Sequence, residues 1–222
     1  YLPRLISRYS NWDMKNREFG KQERTVLMNP GTIIFLNGTT SAGKTSTIHM
    51  LQNILVEPYL EVGIDKFLWM LPRRYFHQPL WDDVLGKANQ TGEMGHKLVH
   101  AMHQTILTLS NQGINVLADH VLIDPFWLEE CVCLFHDKPA YLIGIKCPLD
   151  VLEQREEARK NERTPGAAAK QFGIIHTHGV YDFEVDTSKQ NIEDTAILIK
   201  NFLDTGQPPR ALQQLFLEMN CG

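Results

Sequence analysis

Residues 38–45 read GTTSAGKT and fit the spacing GxxxxGK[ST] in full, which constrains the architecture more than any other stretch of the chain. The octapeptide follows the apolar run 32–36 and opens the helix-like stretch KTSTIHMLQNILV. Small residues at such a junction let the backbone turn its N–H groups inward, and the helix behind them adds its positive end. An anion, and above all a triphosphate, is what such a turn accommodates. On this reading Gly38, Thr39, Thr40, Ser41, Ala42 and Gly43 form the cradle of an ATP site, with Ser46 just behind it. Lys44 would reach the β and γ phosphates and Thr45 would bind Mg²⁺ through its hydroxyl. The plain alternative is a flexible turn carrying a solvated lysine.

Five short runs rich in β-branched and apolar residues punctuate the chain: TIIFLN (32–37), YLEVGID (59–65), INVLADHV (114–121), AYLIGIK (140–146) and YDFEVDT (181–187). The first, third and fourth are nearly continuous in hydrophobicity, as strands covered on both faces require. Between them lie stretches of helical length and pattern, including GHKLVHAMHQTILTLSN, PFWLEECVCLF and LDVLEQREEARK. Strand and helix in alternation predict an α/β fold: a five-stranded parallel sheet with helices on both faces. The expected organisation is an N-terminal extension over 1–30, one domain over 31–203 and an appendage over 204–222 that holds a short amphipathic helix after Pro208 and Pro209.

Two acids stand at the carboxyl ends of predicted strands, where open parallel sheets gather their ligands. Asp65 ends the second run, and a carboxylate there suits a base that orients a hydroxyl and accepts its proton; it equally suits an N-cap of the helix KFLWML. Asp119, in VLADH, is placed to support a Mg²⁺ shell, or else to satisfy loop backbone. Arg155, Arg159 and Arg163 recur every four residues in LEQREEARKNERTPG and share a helix face while the helix lasts. Like charges at that spacing repel unless an anion lies against them, so a phosphate-covering lid over about 153–172 competes with a solvated face balanced by neighbouring glutamates. Pro165 and Gly166 then break the helix. The aromatics from Phe67 to Trp81, with Tyr75 and Phe76 between, line an acceptor pocket or pack in the core.

Other classes are disfavoured. Basic and acidic residues number 22 and 26, giving a net charge of -4 without long single-sign blocks, which does not suit general nucleic-acid or membrane-surface binding. No apolar run is long enough to span a membrane, and a cytoplasmic location is the expectation. Cys131 and Cys133 point to different sides of a helix, so reduced thiols are expected. His176 and His178 lack the partners a zinc site needs.

Taken together, LNGTTSAGKTS, EPYLEVGID, VLADHV, REEAR with Arg163, and AAAKQFGIIH running to YDFEVDTS make the chain resemble the chloramphenicol phosphotransferase family of adenylate-kinase-like P-loop kinases over about 31–203. The resemblance implies a P-loop kinase fold with a helical lid. It also implies transfer of the γ-phosphate of ATP, with Mg²⁺, to a hydroxyl of a small molecule. Asp65 would be the base, Lys44 and Thr45 would hold phosphates and magnesium, and the arginines from 155 to 163 would form the lid, Arg159 and Arg163 among the catalytic groups. Residues 72–92 do not look like the acceptor region of the antibiotic enzyme, and His120 stands where an acid is more usual. A nucleotide-sugar kinase similar to the zeta toxins and a non-catalytic nucleotide switch are the competing expectations.

Overall fold

Strand β1 (Ile33–Asn37) is buried along its whole length, and its side chains divide by parity between two cores. Ile33 and Phe35 join one cluster, Ile34 and Leu36 the other, as the period-two geometry of a strand dictates. A strand with apolar groups on both faces must lie in the middle of a sheet. The computed structural model, which describes residues 29–72, 93–158 and 166–219, places it there. β2 (Tyr59–Gly63), β3 (Asn115–His120), β4 (Ala140–Lys146) and β5 (Phe183–Asp186) complete a parallel sheet in the order β2-β3-β1-β4-β5.

The helices in chain order are α1 (Lys44–Ile54), α2 (Ile64–Trp69), α3 (Glu93–Asn111), α4 (Pro125–Phe135), α5 (Leu149–Ala158), α6 (Ala167–Phe172), α7 (Ile192–Asp204) and α8 (Ala211–Met219). On one face α3 buries Val99, Met102 and Ile106 at helical spacing, beside Trp127, Cys131 and Phe135 of α4 and Leu212 and Leu215 of α8. On the other, α1 contributes Ile48 and Leu51 and α7 contributes Ala196 and Ile199. Caps set the starts of two helices. Asp124 accepts from Phe126 N at 2.9 Å ahead of Pro125, and Asn191 accepts from Asp194 N at 2.8 Å.

The structure corrects several expected boundaries. The second strand ends at Gly63, so Asp65 lies in the first turn of α2, whose N-cap position is held by Gly63 without a side-chain cap; Asp65 is therefore not the N-cap. The fifth strand begins at Phe183, because at Asp182 a side chain replaces the main-chain acceptor: Asp182 N donates to the Leu142 carbonyl of β4 at 2.9 Å, but Leu142 N donates at 2.8 Å to the Asp182 carboxylate, which also accepts from Arg210 N and Ala211 N at the start of α8. The short amphipathic helix expected after Pro208 and Pro209 is α8, and its apolar side packs into the first core.

Candidate active site

The sheet order brings the carboxyl ends of β1, β2 and β3 side by side. Leu36 and Gly63 both pair in register with Asp119, so the phosphate loop, the start of α2 and Asp119 meet at one edge. Two glycines in the loop have geometric reasons. A Cβ at Gly38 would stand 2.5 Å from the Ile145 carbonyl oxygen, closer than any carbon can approach. Gly43 takes φ +93°, a left-handed conformation that side chains disfavour. Ser41 also sits at positive φ, 62°, the kind of local strain that collects at functional loops.

Lys44 is 6% exposed, and its Nζ donates to the Thr39 carbonyl at 3.0 Å while lying 3.5 Å from Asp119 Oδ1. The other oxygen of Asp119 accepts from Thr45 Oγ1 at 2.7 Å. A buried cation is thus met by a carboxylate and an oriented carbonyl, which offset its desolvation. Thr45 and Asp119 present a hydroxyl and a carboxylate on one spot. Such hard oxygen donors fit Mg²⁺, which takes few protein ligands and keeps water and phosphate for the rest. Among the described residues no cluster of three or more His, Cys, Asp or Glu side chains has metal-holding geometry, and that includes His176 and His178.

The loop floors a cleft of about 320 Å³. Lys44, Thr45 and Asp119 line it, and so do Asp65, Lys66 and Trp69 of α2. Trp69 is one helical turn after Asp65 and 67% exposed, so an apolar plate stands beside the acid. Glu61, also in the lining, pairs with Lys66 Nζ at 3.0 Å and with His49 Nε2 at 3.2 Å. Tyr75, Phe76 and Trp81 lie outside the described residues.

Arg159 and Arg163 lie outside the described residues as well. Arg155 is inside them, and its guanidinium donates to Thr187 Oγ1 at 3.0 Å and to the Thr187 carbonyl at 2.7 Å. Two further residues, Thr187 and Gln171, hold the loop, and Asn37 anchors the end of β1 just before it. Thr187 donates its hydroxyl proton to the Ala42 carbonyl at 2.8 Å. Gln171 of α6, buried against the cleft, accepts from Thr40 N at 2.7 Å through Oε1. Asn37 accepts from Leu122 N at 2.9 Å and donates to Tyr181 OH at 2.8 Å and to the Ile175 carbonyl at 3.1 Å. All three fall within the motifs that carry the family resemblance. The loop partners of Thr187 and Gln171 are 145 and 131 positions away, so no local signal gave them a role.

Behind Asp119 a chain of imidazoles crosses the first core. His120 Nδ1 accepts from Val121 N at 2.8 Å, so its proton is on Nε2 and is donated to His103 Nε2 at 2.7 Å. His103 then donates from Nδ1 to Glu130 at 2.6 Å, and His100 meets the other carboxylate oxygen. Burial, with neighbouring His103 and Lys44 adding to it, pushes the His120 pKa well below the usual histidine value.

A phosphate loop at the middle strand of a parallel sheet, a lysine and a threonine on a strand-end aspartate, and a second acid lining the same cleft define a P-loop kinase. The chain belongs to the chloramphenicol phosphotransferase-like family, whose sequence pattern matches residues 31–204. Proteins from two strains of Mycobacterium tuberculosis, named as candidate O-phosphotransferases, are each 28% identical over 182 residues, covering 76% of this chain and 80% of theirs. In fold the chain is similar to a sugar kinase of Janibacter (TM-score 0.61, 14% identity, 79% of this chain and 95% of that one). It is also similar to a gluconokinase of Sinorhizobium meliloti (0.58, 13%, 86% and 98%). A third fold relative is the Mycobacterium tuberculosis APS kinase in complex with AMPPNP and APS (0.54, 15%, 79% and 98%). These structures share its fold; they do not define its acceptor.

Proposed function

We propose that this protein transfers the γ-phosphate of ATP to a hydroxyl of a small molecule, with Asp65 as the base. The observation that carries the reading is that Asp65 lines the same cleft as Lys44, Thr45 and Asp119. Phosphoryl transfer leaves the protein little covalent chemistry to do and asks mainly for positioning and charge. Lys44 would neutralise the β and γ phosphates, a role its hydrogen bond to Thr39 leaves it oriented for. Thr45 and Asp119 would hold Mg²⁺, which when bound supplies charge neutralisation at the phosphates. Asp65 would take the hydroxyl proton of the acceptor late in the transfer, so an ordinary carboxylate is sufficient. Trp69 offers that acceptor an apolar surface and Lys66 a polar one. Arg159 and Arg163 are proposed to cover the phosphates, as their spacing and the family resemblance suggest.

Family membership makes chloramphenicol the first acceptor to try. The experiment is a panel of hydroxyl-bearing small molecules, chloramphenicol and a nucleotide sugar included, incubated with ATP and Mg²⁺ and read by mass spectrometry for a phosphorylated product. At least one acceptor should be phosphorylated by the wild type and not by Asp65→Asn. Binding of nucleotide with no product from any member of the panel would favour a nucleotide-dependent switch instead.

A further inference from the structure

Ala42 lies in the turn of the phosphate loop and is fully buried, so its carbonyl needs a donor from the protein. Thr187 Oγ1 provides it at 2.8 Å. Thr187 is 1% exposed and is itself gripped by Arg155, which donates from Nη1 to the hydroxyl at 3.0 Å and from Nη2 to the main-chain carbonyl at 2.7 Å. Two donations from one planar guanidinium fix side chain and backbone together, and a hydroxyl that accepts from a cation is a better donor onward. The other acceptor within reach of that hydroxyl, the Lys146 carbonyl, is farther away at 3.4 Å.

The consequence follows from peptide geometry. The unit joining Ala42 to Gly43 is planar and trans, so its C=O and N–H point in opposite directions. Gly43 lines the cleft and Thr187 does not. Holding the Ala42 carbonyl on Thr187 therefore turns the Gly43 N–H toward the cleft. Because Gly43 is a glycine at φ +93°, its own backbone does little to prevent this peptide from flipping, and the hold must come from outside the loop. We propose that Arg155 and Thr187 are positioning residues for the nucleotide, a relay from α5 through the end of β5 that presets the Gly43 N–H for a phosphate oxygen. Arg155 then acts on the phosphate site through Thr187 and not by touching a phosphate itself. The inference rests on the reading of this loop as a nucleotide site.

Calorimetric titration with Mg²⁺ and a non-hydrolysable ATP analogue tests it in the wild type, Thr187→Val, Thr187→Ser, Arg155→Ala, Arg155→Lys and the Thr187→Val, Arg155→Ala double variant. Thr187→Val and Arg155→Ala should each weaken binding by roughly tenfold, the scale of one lost orienting hydrogen bond. Thr187→Ser keeps the hydroxyl and should bind like the wild type. Arg155→Lys keeps the charge but not the paired donation and should behave like Arg155→Ala. The double variant should be no weaker than either single one, because both changes break the same relay. Wild-type affinity in Arg155→Lys, or a further full loss on adding Arg155→Ala to Thr187→Val, would overturn the inference in favour of a direct charge contact. Unchanged affinity in a folded Thr187→Val protein would overturn it too. Failure of the wild type to bind the analogue would instead remove the nucleotide-site reading and the inference with it.

Discussion

Asn37 shows how one buried amide can organise a site it never touches. It is the last residue of β1, its carbonyl side takes Leu122 N beyond β3, and its amide side holds Tyr181 OH and the Ile175 carbonyl. Tyr181 OH in turn shares a hydrogen bond with His176 Nδ1 at 2.6 Å. Asn37→Ala should strand several of these buried groups at about 1–3 kcal/mol each and lower the melting temperature by roughly 2–12 °C for each group stranded. A melting temperature within a degree of wild type would show that water replaces the amide. In the sequence Asn37 is only the polar end of TIIFLN, since its partners lie 85 to 144 positions along the chain. Lys44 and Thr45 were legible because their chemistry is fixed by a local spacing, whereas Asn37, Gln171 and Thr187 acquire theirs only from the fold.

At the scale of elements, the alternation of apolar runs was sufficient to place all five strands, and the pattern of PFWLEECVCLF gave α4 from its first residue to its last. The start of α2 was not legible. Gly63 ends the strand two residues before the acid, where apolar Val62 and Ile64 flank it without marking a boundary. The histidines that join α3 to β3 were equally silent, for a histidine on a helix carries no pattern of its own. They have a measurable effect. Burial lowers His120, and burial with neighbouring charge lowers His176 to about 4, so both stay neutral in the fold near neutrality. In the unfolded chain they titrate near the ordinary histidine value of about 6.5. Below that pH the unfolded state binds protons that the folded state does not, so stability falls as pH drops from 7 toward 4. Melting temperatures measured between pH 7.5 and 5 should decline steadily, and His176→Asn should make the decline shallower. An increase in stability over that range would contradict the burial of neutral imidazoles.

Across the whole molecule, the order β2-β3-β1-β4-β5 is what assembles the site. Sequence pattern supplied the strands, an acid near the end of β3 and another just past the end of β2, but the adjacency of Asp119 to both β1 and β2 is a property of the sheet. Among the described residues no helix is long and apolar enough to cross a membrane. If the cleft is a nucleotide site, MgATP at a hundred times its dissociation constant should stabilise the fold by about 2.7 kcal/mol, a rise of roughly 5–10 °C in melting temperature. Chelating the magnesium should remove much of that rise, and an equal rise with and without chelator would exclude Thr45 and Asp119 as magnesium ligands. The most direct test of phosphotransfer itself is single-turnover transfer from ATP to an identified acceptor by the wild type and Asp65→Asn. Nucleotide affinity should be unchanged while the rate of transfer falls by about 10² to 10⁴, the range a general base contributes; transfer at the wild-type rate in Asp65→Asn would contradict the account.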